Sequence, residues 1–252
     1  MSIEKELTGQ AQEILTDHPQ ERVVVCEISL CSYQGYWVPT SLMKGILSVQ
    51  KHFVANDSDI IVASCPKSGT TWLKAITFSV INRGRFAAND SPLLRANPHE
   101  LIPFLETNDQ YSQQINIKNI SQPRLLSTHI PYTLLPSSVK DSNCKVVYIY
   151  RNPMDLFVSL WYFFPKLKGE DKEAQHLEEF FDMFCRGIHL FGPVWDHVME
   201  FWNASLERPQ NVLFLKYEDL KEDVIVDSRI LGAPFFFGGR EARHYRRDSK
   251  LV

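Results

Sequence analysis

The chain has 252 residues, enough to bury one substantial core. Hydrophobic residues make up 44% and charged residues 23%, the balance of an ordinary soluble globular domain, and a net charge of −3 gives no basic excess that would point to nucleic acid. The five cysteines, Cys26, Cys31, Cys65, Cys144 and Cys185, are odd in number and scattered, so neither a disulfide framework nor a CxxC zinc site is expected; a reducing, cytoplasmic location fits best. The first residues, Met1-Ser2-Ile3-Glu4-Lys5-Glu6, are charged and lack the apolar stretch of a secretory signal. No apolar run approaches a membrane span, so no membrane partner is expected.

Helices are predicted around residues 4–15 and 41–52. Between them, Tyr33-Gln34-Gly35-Tyr36-Trp37-Val38-Pro39 reads as an aromatic loop, either a packing element or a substrate wall. Ile60-Ile61-Val62-Ala63-Ser64 is a β-branched run bounded by polar residues and predicts a buried strand. A helix over 71–82 follows a short loop, with apolar positions at Trp72, Leu73, Ile76 and Val80. Arg124-Leu125-Leu126-Ser127-Thr128 is a weaker strand and Lys145-Val146-Val147-Tyr148-Ile149-Tyr150 a strong one. Asn152 is placed to cap a helix that has Pro153 at its first position and runs to about residue 164. Residues 165–175 read as a charged connector or a mobile lid. Asn211-Val212-Leu213-Phe214-Leu215-Lys216-Tyr217 is a further strand, followed by a helical start at Glu218-Asp219-Leu220.

Strands alternating with helices predict an α/β fold, a parallel sheet with helices on both faces. Ligands in such sheets bind beyond the carboxyl ends of the strands, so the loops after Ser64, Thr128, Tyr150 and Tyr217 are expected to share one rim.

The chemistry concentrates on that rim. In Pro66-Lys67-Ser68-Gly69-Thr70-Thr71-Trp72, a strand-to-helix loop turns backbone N–H groups and a helix dipole toward one point. Gly69 permits close backbone approach, Ser68, Thr70 and Thr71 add hydroxyl donors, and Lys67 adds a mobile cation. A phosphate or sulfate cradle and a Ser/Thr-rich helix cap both fit. The GxxxxGK[ST] spacing of a Walker loop is absent and no strand-end aspartate is placed for Mg²⁺, which argues against a nucleotide kinase or NTPase. Arg151, before Asn152 and Pro153, can fork onto a phosphate or form a surface ion pair, and Ser159 lies in the following helix. His129, just past a strand, suits a general base, although lone histidines are more often structural.

Taken together, these segments resemble the soluble sulfotransferases. The resemblance rests on Pro66–Trp72 with Leu73-Lys74-Ala75, on Thr128-His129, on Tyr150-Arg151-Asn152-Pro153-Met154-Asp155 with Ser159-Leu160-Trp161, and on Phe214-Leu215-Lys216-Tyr217-Glu218-Asp219-Leu220-Lys221. Residues 37–53 and 92–104 are similar to the plant branch, which includes flavonol and brassinosteroid enzymes. The resemblance implies a P-loop-like α/β sandwich. It also implies 3′-phosphoadenosine 5′-phosphosulfate as sulfuryl donor, a small-molecule hydroxyl as acceptor, and no metal. Lys67, Ser68, Gly69, Thr70 and Thr71 would bind the 5′-phosphosulfate, with Lys67 countering charge on the leaving phosphate. Trp72 would stack on the adenine with Tyr217 near it, Arg151 and Ser159 would hold the 3′-phosphate, and His129 would take the acceptor proton. Acceptor specificity would come from 33–39, 101–110 and 162–170.

The sequence departs from the family in two places. Ser127 stands where many animal members have a lysine. After Val224, family members continue with further helices and a basic clamp over the 3′-phosphate. Here Leu231-Gly232-Ala233-Pro234-Phe235-Phe236-Phe237-Gly238-Gly239 has no helical period, and Arg240 onward is basic. The expectation is a C-terminally truncated domain over 1–224 and a poorly ordered tail over 225–252. A scaffold without turnover is therefore the rival to an active enzyme.

Overall fold

A computed structural model of the chain describes residues 3–26, 28–107, 120, 122–168, 176–222 and 235–236. Helix α1 (Ile3–Asp17) leads into an antiparallel sheet of β1 (Gln20–Arg22), β2 (Ser29–Tyr33) and β3 (Tyr36–Pro39), followed by α2 (Met43–His52). Then come β4 (Ile60–Ser64), α3 (Thr70–Ile81), α4 (Pro98–Leu101), β5 (Leu125–Thr128), α5 (Ser137–Asp141), β6 (Lys145–Tyr150) and α6 (Pro153–Lys168). The described elements end with α7 (Leu177–Cys185), α8 (Val194–Glu207), β7 (Val212–Lys216) and α9 (Tyr217–Glu222).

The central sheet is parallel, in the order β5-β4-β6-β7. Every residue of β4 is buried, as a strand covered on both faces requires. Alternation divides the contacts between two layers. Ile61, Ala63, Val146 and Tyr148 face a layer that includes Met43, Ile46 and Leu47 of α2 and Phe201 of α8. Val62, Val147, Ile149 and Leu213 face Leu73 and Ile76 of α3 and Leu220 of α9. The α/β architecture and the four strands of the central sheet stand as the sequence predicts.

Two expectations change. The aromatic stretch 33–39 is a hairpin, not a loop: Gln34 and Gly35 have φ values of 50° and 90°, as a two-residue turn between twisted strands needs, and Tyr33 pairs with Tyr36. Tyr33, Tyr36 and Val38 join the core, so packing accounts for most of this segment. Helix α6 continues to Lys168, through Pro165. A proline this close to a helix end removes one hydrogen bond without stopping the last turn. Residues 169–175, the rest of the predicted connector or lid, lie outside the described residues. So does the predicted tail, apart from Phe235 and Phe236. These two are packed: Phe235 is buried among Val62, Val147 and Leu213, and Phe236 lies against the same layer. Aromatic burial on an apolar sheet face is the physical reason.

The amino ends of the strands are tied by a buried ion pair. Arg124, before β5, donates from Nε to Asp59 Oδ1 at 2.7 Å and from NH2 to Asp59 Oδ2, and also reaches Val54 O at 3.0 Å. Asp59, before β4, has no exposure to water, and its Oδ2 accepts from Asn56 N at 2.7 Å. Its carbonyl accepts from Lys145 N, so three neighbouring strands start from one charged knot. Removing one partner of a buried pair leaves the other charge unsatisfied. Arg124→Met is expected to cost about 3–5 kcal/mol of unfolding free energy in urea titrations. Adding Asp59→Leu is expected to recover most of that loss; a double variant as unstable as the single one would show that the pair is not the cause.

Candidate active site

A cleft of about 590 Å³ opens at the carboxyl ends of β4, β5, β6 and β7. Its lining contains Lys67, Gly69, Thr70, Thr71, Trp72, His129, Arg151, Ser159 and Tyr217. The four loops predicted to share a rim do so. Ser68, the remaining predicted binding residue, is not on the lining; it is buried, and its N–H donates to Cys65 O at 3.2 Å.

The loop after β4 is shaped by its backbone. Lys67 has φ 70° and Gly69 φ 103°, both left-handed, and α3 begins directly after Gly69. Such a turn at a helix N-terminus gathers N–H groups around a concave point. A Cβ on Gly69 would lie 2.6 Å from Tyr217 Cδ2, so only glycine satisfies both the φ and the contact. Thr70 Oγ1 and Ser64 Oγ are 2.6 Å apart, fixing the strand end to the helix start. Lys67 Nζ lies 3.8 Å from the Phe163 ring centroid, which steers this cation along the cleft wall.

Arg151 follows β6. Its guanidinium lies 4.7 Å from the Tyr217 ring centroid and NH1 donates to Lys67 O at 3.4 Å. Its Nε is buried and without a partner among the described residues, a cost that an anion in the cleft would remove. Asn152 caps α6 as predicted, accepting from Met154 N at 2.9 Å. Trp72 and Tyr217 meet edge to face with centroids 5.9 Å apart.

His129 is held from several sides. Its Nδ1 lies 2.7 Å from Ser64 O; a carbonyl only accepts, so Nδ1 carries the hydrogen and Nε2 carries the lone pair. Its carbonyl accepts from His197 Nε2 at 3.0 Å, and His197 Nδ1 in turn accepts from Tyr148 OH at 2.9 Å. Glu106 accepts from His129 N at 2.8 Å and from Thr128 Oγ1 at 2.9 Å. Thr128 Oγ1 also accepts from Ile130 N, so the residue before the histidine locks the backbone on both sides. Burial lowers the pKa of His129 to about 3, with the positive charge of Lys74, and of His197 and His99 where these are protonated, acting the same way and the bond to Ser64 O opposing. The imidazole is therefore neutral at ordinary pH.

Phe104 and Phe163, from the segments 101–110 and 162–170 expected to face the acceptor, form an apolar wall with Leu190 and Phe191, with the Phe104 ring 4.7 Å and the Phe191 ring 5.8 Å from the His129 ring. The sequence reading missed Leu190 and Phe191, and with them His99 and the burial of Lys74. His99 lines the cleft beside Thr71. Lys74 of α3 is fully buried and donates to Ile102 O at 2.9 Å. Ser127 Oγ reaches the same carbonyl at 3.4 Å. Lys74 and Ser127 thus converge on one carbonyl.

Comparison with known proteins gives consistent relatives. Residues 57–229 match the sulfotransferase domain family. Cytosolic sulfotransferase 13 of Arabidopsis thaliana is 46% identical over 87% of this chain and 66% of its own length. Cytosolic sulfotransferase 12 of the same plant is 42% identical over 98% of this chain and 77% of its own length. The chain thus spans about two thirds to three quarters of these relatives. The crystal structure of an Arabidopsis putative steroid sulphotransferase superposes with a TM-score of 0.80 at 41% identity, covering 92% of this chain and 79% of that one. A mouse sulfotransferase complexed with PAP gives 0.61 at 29% identity, covering 79% and 66%.

Two other buried histidines, His189 and His197, have pKa values lowered to about 4 by burial, below the ordinary value of 6.5. A histidine whose folded pKa lies below its unfolded one stabilises fully above the unfolded value and loses that contribution as pH falls. Unfolding free energy is expected to drop as pH is lowered from about 6.5 toward 4. NMR titration is expected to show His129 and His197 still neutral at about pH 5.5. Protonation of either near pH 6.5 in the folded state would contradict the buried, carbonyl-bonded assignment.

Proposed function

The chain belongs to the sulfotransferase family, and from that membership we propose that it transfers a sulfuryl group from 3′-phosphoadenosine 5′-phosphosulfate to the hydroxyl of a small molecule. The observation that carries the reading is the meeting, in one cleft, of a left-handed anion nest before α3 and a tautomer-fixed imidazole at His129. The cleft fits such a donor on physical grounds. The left-handed backbone at Lys67 and Gly69 turns the loop before α3 into a concave point on the cleft, and the buried Arg151 Nε lacks a partner among the described residues. The mouse relative was crystallised with PAP, which supports the choice of donor.

The roles follow from chemistry. Thr70, Thr71, Lys67 and the N–H groups of the loop would hold the phosphosulfate, with Ser68 acting through the backbone it anchors. Trp72 and Tyr217 would flank the adenine, and Arg151 with Ser159 would hold the 3′-phosphate. As the acceptor oxygen bonds to sulfur, its proton passes to His129 Nε2, the bond from sulfur to the phosphate oxygen breaks, and Lys67 balances the charge left on that oxygen. The products are the sulfate ester and 3′-phosphoadenosine 5′-phosphate. An anion bound beside His129 would raise its pKa and make it a better base.

The wall of Phe104, Phe163, Leu190 and Phe191 suits an apolar acceptor body, such as a phenol, flavonoid or steroid. The description of one relative as a putative steroid sulphotransferase supports including steroids. The reading assigns the catalytic domain to residues 1–224, leaves 225–252 outside it, and places the protein in the cytoplasm in keeping with the names of its relatives.

The test is calorimetric titration with 3′-phosphoadenosine 5′-phosphate together with sulfuryl transfer to a panel of phenols, flavonoids and steroids. Binding and transfer are both expected; binding without transfer to any acceptor would favour a scaffold without turnover. His129→Ala is expected to spare nucleotide affinity and abolish transfer, whereas Lys67→Ala weakens both. Arg151→Met is expected to cost about 1.5–3 kcal/mol of affinity for the 3′-phosphorylated nucleotide and little for adenosine 5′-phosphate. Equal losses for the two nucleotides would refute the 3′-phosphate assignment.

A further inference from the structure

A chain of three polar side chains runs from the core to the cleft, and none of its bonds is explained by packing alone. It starts at Lys74, whose side chain is fully buried in α3. Lys74 Nζ lies 3.0 Å from His99 Nδ1, 2.9 Å from Ile102 O and 3.4 Å from the Phe104 ring centroid. His99 Nε2 then lies 2.9 Å from Thr71 Oγ1, in the first turn of the same helix. Resting on the sulfuryl-transfer reading of the cleft, we propose that His99 is a positioning residue that orients the Thr71 hydroxyl toward the donor anion, and that Lys74 fixes the His99 tautomer required for this.

The direction of the chain follows from what each group can do. Burial lowers the pKa of Lys74 to about 7, with the charge of Glu106 opposing, and in its ammonium form it has donors and no acceptor, so His99 Nδ1 opposite it then carries the lone pair. The ring hydrogen then sits on Nε2 and points at Thr71 Oγ1. That oxygen, having accepted one bond, keeps its own hydrogen for another group, and Thr71 lines the anion nest. Burial and the charges of Lys74 and Lys67 lower the pKa of His99, so the ring stays neutral with one donor and one acceptor. Donors aligned in series polarise one another, so part of the Lys74 charge is felt at the Thr71 hydroxyl without a second exposed lysine in the cleft. Phe104, with its centroid 5.3 Å from that of the His99 ring, stacks on the imidazole and holds its plane.

The experiment compares wild type, His99→Leu, His99→Gln, Thr71→Val and the Leu/Val double variant. It measures affinity for 3′-phosphoadenosine 5′-phosphate, kcat with one accepted phenol, and ¹⁵N shifts of the His99 ring. A glutamine amide can accept from Lys74 and donate to Thr71; leucine can do neither. His99→Leu is expected to lower kcat about tenfold, His99→Gln to restore it to within about twofold, and the double variant to be no worse than Thr71→Val. The His99 ring is expected to show protonated Nε2 and bare Nδ1, and Lys74→Met to mix the two tautomers. Additive losses in the double variant, a leucine variant equal to wild type, or a protonated Nδ1 would each overturn the proposal. A wild type that binds no nucleotide would instead sink the reading of the cleft, and the role of Thr71 with it.

Discussion

A carboxylate removed from water has to be met by donors, and at Glu106 that requirement organises the site. The residue is 2% exposed. Burial pushes its pKa up; hydrogen bonds from its own N–H, from His129 N and from Thr128 Oγ1, with the charge of Lys74, pull the other way. The two donors from the end of β5 are the ones that give His129 its position. Helix α2 is drawn in as well: a Cβ on Gly45 would come within 1.8 Å of Glu106 O, so the helix and this segment touch backbone to backbone. Glu106 therefore couples α2, α3 and β5 without itself lining the cleft. A neutral or shorter side chain there would free the Thr128–His129 backbone and loosen the bond from His129 Nδ1 to Ser64 O.

The sheet order places the rest. The chain leaves β4, adds β5 on one side, and returns past β4 to add β6 on the other. The loops after the neighbouring strands β4 and β6 consequently leave in diverging directions, and the gap between them is where a parallel sheet can accept a ligand. The left-handed loop before α3 comes from the first of these, Arg151 from the second and His129 from the end of β5. Because each of these residues follows a strand whose register is fixed by its neighbours, the constellation inherits the rigidity of the sheet.

What was legible in the sequence was local. The strands read clearly because burial on both faces leaves continuous apolar runs, as in Ile60-Ile61-Val62-Ala63-Ser64. The nest and the Asn152 cap were legible because their chemistry is complete within a few residues. Lys74 was not: in a helical pattern a lysine reads as solvent-facing, and only the fold shows that it is buried under Phe104. His99 is 28 residues from its partner Thr71, and Glu106 is 22 from Thr128, separations at which no periodicity links two positions. The hairpin at 33–39 was hidden by strands of four and five residues around a turn whose first residue, Gln34, is an uncommon choice for positive φ.

The two sides of the cleft are built from different materials, and this bears on how its chemistry and its selectivity divide. The side at β4, α3 and β6 is made of backbone N–H groups, hydroxyls and cations whose positions are set by helix starts and strand ends. Changing any of them alters the sheet rim itself. The opposite side is made of Phe104, Phe163, Leu190 and Phe191, side chains that contribute bulk and little hydrogen bonding. Apolar side chains of similar volume exchange for less than about 1.5 kcal/mol, whereas a lost buried ionic partner costs about 3–5 kcal/mol. On the proposed reading, donor recognition is therefore bound to the fold, while the acceptor wall is free to vary. His129 stands at the boundary, with Phe104 and Phe191 against its ring and Ser64 at its Nδ1, so the basic nitrogen keeps its place whichever acceptor the wall admits.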